Sequence, residues 1–239
     1  MSVGRAVGAE WDDEGESDDQ GDSEAGRRPS WGAMTATIGD VERGVITEIL
    51  KLAIGRAAVA LSRLVDGEVA LSSAPVEFLS PAQAAARVGE ATGRGDSVVV
   101  RQHFETGFSG DILLIFPEQR SLELVRAMMR DTVPLDSLTE LEQEALLEVG
   151  NIVLNACLGG LSRNLGGTIE GSLPVYGRGR GVRILGALPA DAHLVMILRV
   201  DFAMTGTGTE GYIVMIMDDG SAQAFATALA NRAGHAAIG

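Results

Sequence analysis

Glu48, Leu61, Ser62 and Arg63 recur as Glu148, Leu161, Ser162 and Arg163, each 100 positions later, and Pro75 answers to Pro174. Self-similarity at a fixed period marks repeated structural units, so two copies of one supersecondary unit are expected before any element is assigned. Two strand-like segments repeat in the same register: Val99-Val100-Arg101-Gln102-His103-Phe104 resembles Ile197-Leu198-Arg199-Val200-Asp201-Phe202. Gly110-Asp111-Ile112-Leu113-Leu114-Ile115 likewise resembles Gly211-Tyr212-Ile213-Val214-Met215-Ile216.

Within each copy the periodicities order the elements. Ile46, Ile49, Leu50, Ala53, Ala57, Ala60 and Leu61 share one face of a helix over Val41 to Leu61. Strand patterns follow at Glu68 to Leu71, Ser97 to Phe104 and Asp111 to Phe116, with a helical stretch from Pro81 to Val88 and a hairpin turn at Gly107 to Gly110. A helix from Ser121 to Arg130 closes the first copy, with Pro117 breaking the strand before it. The second copy runs from a helix at Glu140 to Leu161 to a helix at Ser221 to Asn231. Hairpins make antiparallel pairs, so the expected fold is α+β: a pseudo-two-fold tandem duplication whose strands, each with one strongly apolar face, join into a continuous, mainly antiparallel sheet backed by the two long helices. The boundaries are 41–236 for the domain, with halves 41–135 and 136–236.

Residues 1–40 carry ten acidic and three basic residues, half of the net charge of -14. So polar a segment cannot bury enough apolar surface to offset its chain entropy, and it is expected to be a disordered acidic tail. Trp11 and Trp31 lie in it, as incidental hydrophobes or as a docking anchor. The overall negative charge repels phosphate backbones and anionic membranes, and only 4% of residues are aromatic, which leaves no stacking platform for single strands; nucleic acid is not an expected partner. Cys157 is the only cysteine, so no intrachain disulfide or multi-thiolate metal site can form. It falls on the buried side of its helix and is read as a core residue. His103, His193 and His235 lack helical ligand spacing, and no metal bound by this chain is expected. With no apolar leader and no uncharged run near ~20 residues, a cytoplasmic protein without membrane insertion is expected.

The chemistry sits on the second long helix. At about 100° per residue, Glu144, Glu148, Asn151 and Asn155 fall in one narrow stripe, flanked by Leu141, Val149, Ile152 and Ala156 on one side and Leu147, Leu154 and Leu158 on the other. Any amphipathic helix has a solvated face, but Asn is a poor mid-helix residue because its amide competes for backbone hydrogen bonds. Two of them in a polar seam ask for another explanation.

Glu148-Val149-Gly150-Asn151-Ile152, followed after 22 intervening residues by Pro174, resembles the E-x-x-N-x22-P signature of the CheC, CheX and FliY phosphatases of bacterial chemotaxis, which act on the phosphorylated response regulator CheY. The segments 144–152 and 112–117 look like this family too, and the resemblance covers about residues 41 to 231. It implies that the helix docks on a phosphorylated CheY-like receiver, with Glu148 pairing with the receiver's lysine and Asn151 entering beside the aspartyl phosphate. An amide both accepts and donates hydrogen bonds, so it can hold a water in line with phosphorus without acting as a base. The receiver would supply the Mg2+ that neutralises developing charge, and this chain would bind no cofactor. An interaction with the deamidase CheD is implied by the same analogy.

The sequence departs from the pattern in places. Glu144 stands where the family usually has Asp or Ser. In the first copy Glu48 matches the motif Glu, but Lys51 replaces the Asn, and the spacing to Pro75 is one residue longer. Lys is donor-only and pairs readily with Glu at i+3, so the first site is expected to be catalytically dead. A second reading is a non-catalytic adaptor, a receiver-binding or flagellar-switch component like FliM, whose related domain lacks the catalytic pair.

Two other signals lead elsewhere. Gly206 to Gly211 matches G-x-G-x-x-G but leads into a strand, where no helix N-terminus awaits a pyrophosphate. Gly177-Arg178-Gly179-Arg180-Gly181 with Arg183 reads as a solvated turn or a small basic loop for an acidic partner.

Overall fold

A computed structural model of the chain describes residues 9–10, 38–93, 95–129, 140–180, 192–204 and 207–236. The first half contains α1 (Asp40–Leu64), β2 (Val69–Ser73), β3 (Glu77–Leu79), α2 (Pro81–Thr92), β4 (Asp96–Glu105), β5 (Ser109–Pro117) and α3 (Glu118–Met129). The second contains α4 (Glu140–Leu165), β6 (Glu170–Gly171), β7 (Val175–Arg180), β8 (Ala192–Met204), β9 (Thr207–Asp218) and α5 (Asp219–Ala236). Ahead of both lies β1 (Ala9–Glu10), paired parallel with Gly177 and Arg178. Apart from β1 and residues 38–40, the expected acidic tail, with Trp11 and Trp31, lies outside the described residues.

Local chemistry explains the helices. Asp40 and Glu42 in the first turn of α1 and Arg63 in its last complement the helix dipole. Its buried face is the expected one with Ile54 added, while Ala60 is only half-buried. Ser80 and Gln83 form a capping box at the start of α2, and Pro81 occupies the first turn, where no N–H is needed.

The α+β architecture is the expected one. A nine-stranded sheet has the order β1-β7-β4-β5-β9-β8-β2, with β3 also on β8 and β6 also on β4. Every pairing except β1 with β7 is antiparallel. The two hairpins meet at the centre, where β5 pairs β9 from Asp111↔Ile216 to Ile115↔Tyr212.

The flanking strands are exchanged between the halves, which periodicity did not reveal. β2 and β3 of the first half complete β8 of the second, and β6 and β7 of the second complete β4 of the first. Each exchanged pair also carries the same irregularity. Between Phe104↔Gly171 and Arg101↔Val175, residues 172–174 face only 102–103; between Ser73↔Val200 and Glu77↔Ile197, residues 74–76 face only 198–199. Pro174 and Pro75 sit in these two bulges, where a missing N–H leaves no ladder bond unmade.

The expectation of one apolar face per strand needs correction. Residues 111–116, 194–198 and 211–217 are buried without alternation, because the sheet is covered on both sides. One face packs on α1, α4 and α5 through Val100, Phe104, Ile112, Leu114, Met196, Leu198, Ile213 and Met215. The other forms a second core in which Val99, Leu113, Ile115, Val195, Ile197, Val214 and Ile216 meet Ala84 and Val88 of α2.

Cys157 lies fully buried on the inner face of α4, as read from its helical position, and desolvation pushes its thiol up to about 12. Thiolate is the reactive form, so at pH 8 the native protein is expected to resist alkylation by iodoacetamide, and denaturant to release one reactive thiol. Labelling of the native protein at the rate of free cysteine, followed by mass spectrometry, would contradict this placement.

Candidate functional site

Two glycines let α4 lie close to its neighbours. A Cβ added at Gly150 would stand 2.6 Å from Val100 Cβ on β4, and one at Gly160 would stand 3.0 Å from Ala53 Cβ on α1. The helix therefore rides directly on the first half's strand. By length and composition α4 alone among the described helices could cross a membrane. Its apolar side, however, is the part buried here: Leu146, Val149, Val153, Leu154, Cys157, Leu158 and Leu161.

The polar seam faces outward beside β4. Glu144, Glu148 and Asn155 are exposed and Asn151 is half-buried. Among the described residues, none engages the Glu148 carboxylate in an ion pair or hydrogen bond. Asn155 Nδ2 donates to Asn151 Oδ1 at 2.6 Å. Gln102 Nε2, from β4, donates to Asn155 Oδ1 at 3.2 Å and to the Ser172 carbonyl in the Pro174 bulge at 2.7 Å. Gln102 is only 2% exposed, a polar side chain in the inward row of Val98, Val100 and Phe104. Glu148 and Asn151 are thus adjacent and accessible, and among the described residues nothing takes up the second lone pair of Asn151 Oδ1 or its amide hydrogens, which leaves them for an incoming group.

Sequence reasoning placed Glu148, Asn151 and Asn155 on one surface but missed Gln102. The available signal was its polarity in an apolar strand row, at the position where the repeat has Val200.

The first copy is different. Lys51 Nζ lies 3.5 Å from Glu48 Oε1, with both side chains more than 60% exposed. The counterparts of Asn155 and Gln102 are Gly55 and Val200, so no amide is present at any of the three positions.

The basic segment is corrected: Gly177 to Arg180 is part of β7, paired to β4, and not a turn or loop. Arg178 is matched within the chain by Asp96 at 3.2 Å and Glu118 at 2.9 Å. Gly181 and Arg183 lie outside the described residues. Gly208 and Gly211 of the glycine-rich match belong to β9. Among the described residues, no group of three or more His, Cys, Asp or Glu side chains could hold a metal ion. Three exposed apolar side chains, Leu141, Leu173 and Val175, lie on α4 and on the strand edge that carries the bulge.

No family model and no curated protein matches the chain. Solved structures do. FliY from Thermotoga maritima aligns with 81% of this chain and 98% of its own, at 21% identity and a TM-score of 0.65. FliM from H. pylori, in a complex with SpeE, aligns with 81% of this chain and 97% of its own, at 8% identity and a TM-score of 0.60. The H. pylori FliM middle domain alone covers 80% of this chain and 99% of its own, at 7% identity and a TM-score of 0.58. The chain has the fold shared by FliY and the FliM middle domain, the fold that the repeat and the spaced signature implied.

The close approach at Gly150 fixes the seam against β4. In Gly150→Ala, helix propensity would gain about 1 kcal/mol, but the new methyl meets the rigid Cβ of Val100 and the overpacking costs about 1–3 kcal/mol. The clash is expected to win, lowering the urea midpoint; a raised midpoint would mean that α4 does not ride on β4 as described.

Proposed function

We propose that the chain is a phosphatase of a phosphorylated CheY-like receiver, acting through Glu148 and Asn151. One observation carries this reading: an uncommitted carboxylate and a half-buried, fastened amide stand one helical turn apart on an accessible helix face, with the signature proline in the adjoining strand. The FliY-like fold supports it.

In this reading α4 approaches the receiver's active site, and Glu148 pairs with the lysine there. That pairing fixes register. Asn151 then lies beside the aspartyl phosphate and holds a water in line with the bond to be broken. Because the amide is already restrained, little of the binding energy goes into ordering it. Water attacks phosphorus, the aspartate carboxylate leaves with the bonding electron pair, and inorganic phosphate is released. The metal that offsets charge on the phosphoryl oxygens belongs to the receiver. Leu141, Leu173 and Val175 supply apolar area for docking around the polar pair. The first site, with Lys51 turned to Glu48, takes no part in turnover.

The FliM-like fold favours a second reading, an adaptor that binds the phosphorylated receiver without hydrolysing it. Phosphate release separates the two. With phosphorylated receiver and Mg2+, the wild type is expected to speed release, and Asn151→Ala to lose roughly 10²-fold of that acceleration. Glu148→Ala is expected to weaken receiver binding by about tenfold. Lys51→Ala should leave the rate alone. Tight binding with unchanged release across candidate receivers would leave only the adaptor.

A further inference from the structure

The Ser172 carbonyl can only accept a hydrogen bond, so the Gln102 side chain must turn its NH2 group toward it. The same nitrogen then donates to Asn155, which obliges Asn155 to present its oxygen to Gln102 and its NH2 to Asn151. Asn151 in turn must answer with its oxygen. The sense of three amides is therefore dictated from a single backbone carbonyl, and that carbonyl is placed by the bulge containing Pro174.

We infer that Gln102 and Asn155 are positioning residues, a relay that sets the rotamer and amide sense of Asn151 from the Pro174 bulge. The inference rests on the proposed role of Asn151 and adds to it a structural reason for the distant proline. Three further features support it. Gln102 is buried while its Oε1 has no partner among the described residues, a cost retained in an otherwise apolar row. A Cβ at Gly171 would lie 2.5 Å from Gln102 Nε2, so the bulge is shaped around this side chain. The repeat provides an internal control: where Asn151 is replaced by Lys51, Asn155 is replaced by Gly55 and Gln102 by Val200. The bulge and its proline persist there without the amides, so the relay accompanies the functional asparagine and not the fold.

Asn155→Asp keeps the acceptor for Gln102 but turns an oxygen toward Asn151, and Gln102→Met keeps the buried volume while removing the donor. Both are expected to lower the turnover number for receiver phosphate release about tenfold or more. Affinity for a beryllofluoride-activated receiver should stay within about twofold, since neither residue is proposed to touch it. A merely structural role would instead move thermal stability and binding together. Asn155 is exposed, so its variant tests the relay even if Gln102→Met folds poorly. In isotope-labelled protein, the Asn151 side-chain amide resonances, identified by their loss in Asn151→Ala, are expected to shift and broaden in Asn155→Asp. Unmoved resonances, or wild-type turnover in that variant, would overturn the relay. If the wild type never speeds release but these resonances still shift in Asn155→Asp, the phosphatase reading is removed and the relay stands.

Discussion

The reciprocal exchange of edge strands is the constraint on which the rest of the molecule depends. Each half contributes a hairpin to the centre of the sheet and leaves that hairpin's outer strand to be completed by the other half. Because β6 and β7 cross onto β4, α4 follows them and packs over a strand that it does not precede in sequence. The candidate site is consequently composite: its carboxylate and two asparagines come from the second half, and its buried glutamine from the first. Backbone hydrogen bonds enforce this arrangement, since buried N–H and C=O groups along β4 have no other partners once α4 covers the sheet.

Much of this was legible in the sequence because periodicity reports burial. The face of α1, the polar seam of α4 and the central hairpins all follow from the spacing of apolar residues, and Lys51 beside Glu48 follows from helix geometry alone. What periodicity reports poorly is pairing between distant segments. β3 and β6 are only three and two residues long and β7 is rich in Gly and Arg, so Gly177 to Arg180 read as a turn when it is a strand held by β4 and by the ion pairs of Arg178. The second core under α2 was hidden for a related reason: a strand buried on both faces shows an unbroken apolar run, which does not say what covers it.

Gln102 illustrates the remaining gap. Its polarity is visible in one line of sequence, yet its meaning needs Ser172 and Asn155, at separations of 70 and 53 residues. The repeat narrows that gap, because comparing the copies separates residues that maintain the fold from residues that do something else. Both copies keep a proline in the bulge, an acidic residue on the long helix and the Leu-Ser-Arg end of that helix. Only one keeps the amides. Duplication has thus left a scaffold shared by both halves and a chemistry confined to one.

The exchanged strands also bear on how such a chain comes to be folded as it leaves the ribosome. When β2 and β3 emerge, the strand that will hold them, β8, lies more than 100 residues downstream, and β4 must wait for β7. Contacts of this separation are closed late and at an entropic cost set by the intervening loop. The early half therefore presents open sheet edges throughout synthesis of the later one, an exposure that invites mispairing with neighbouring chains. Its safeguard is local: a long helix and a tight hairpin that can form on their own while the rest is still being made.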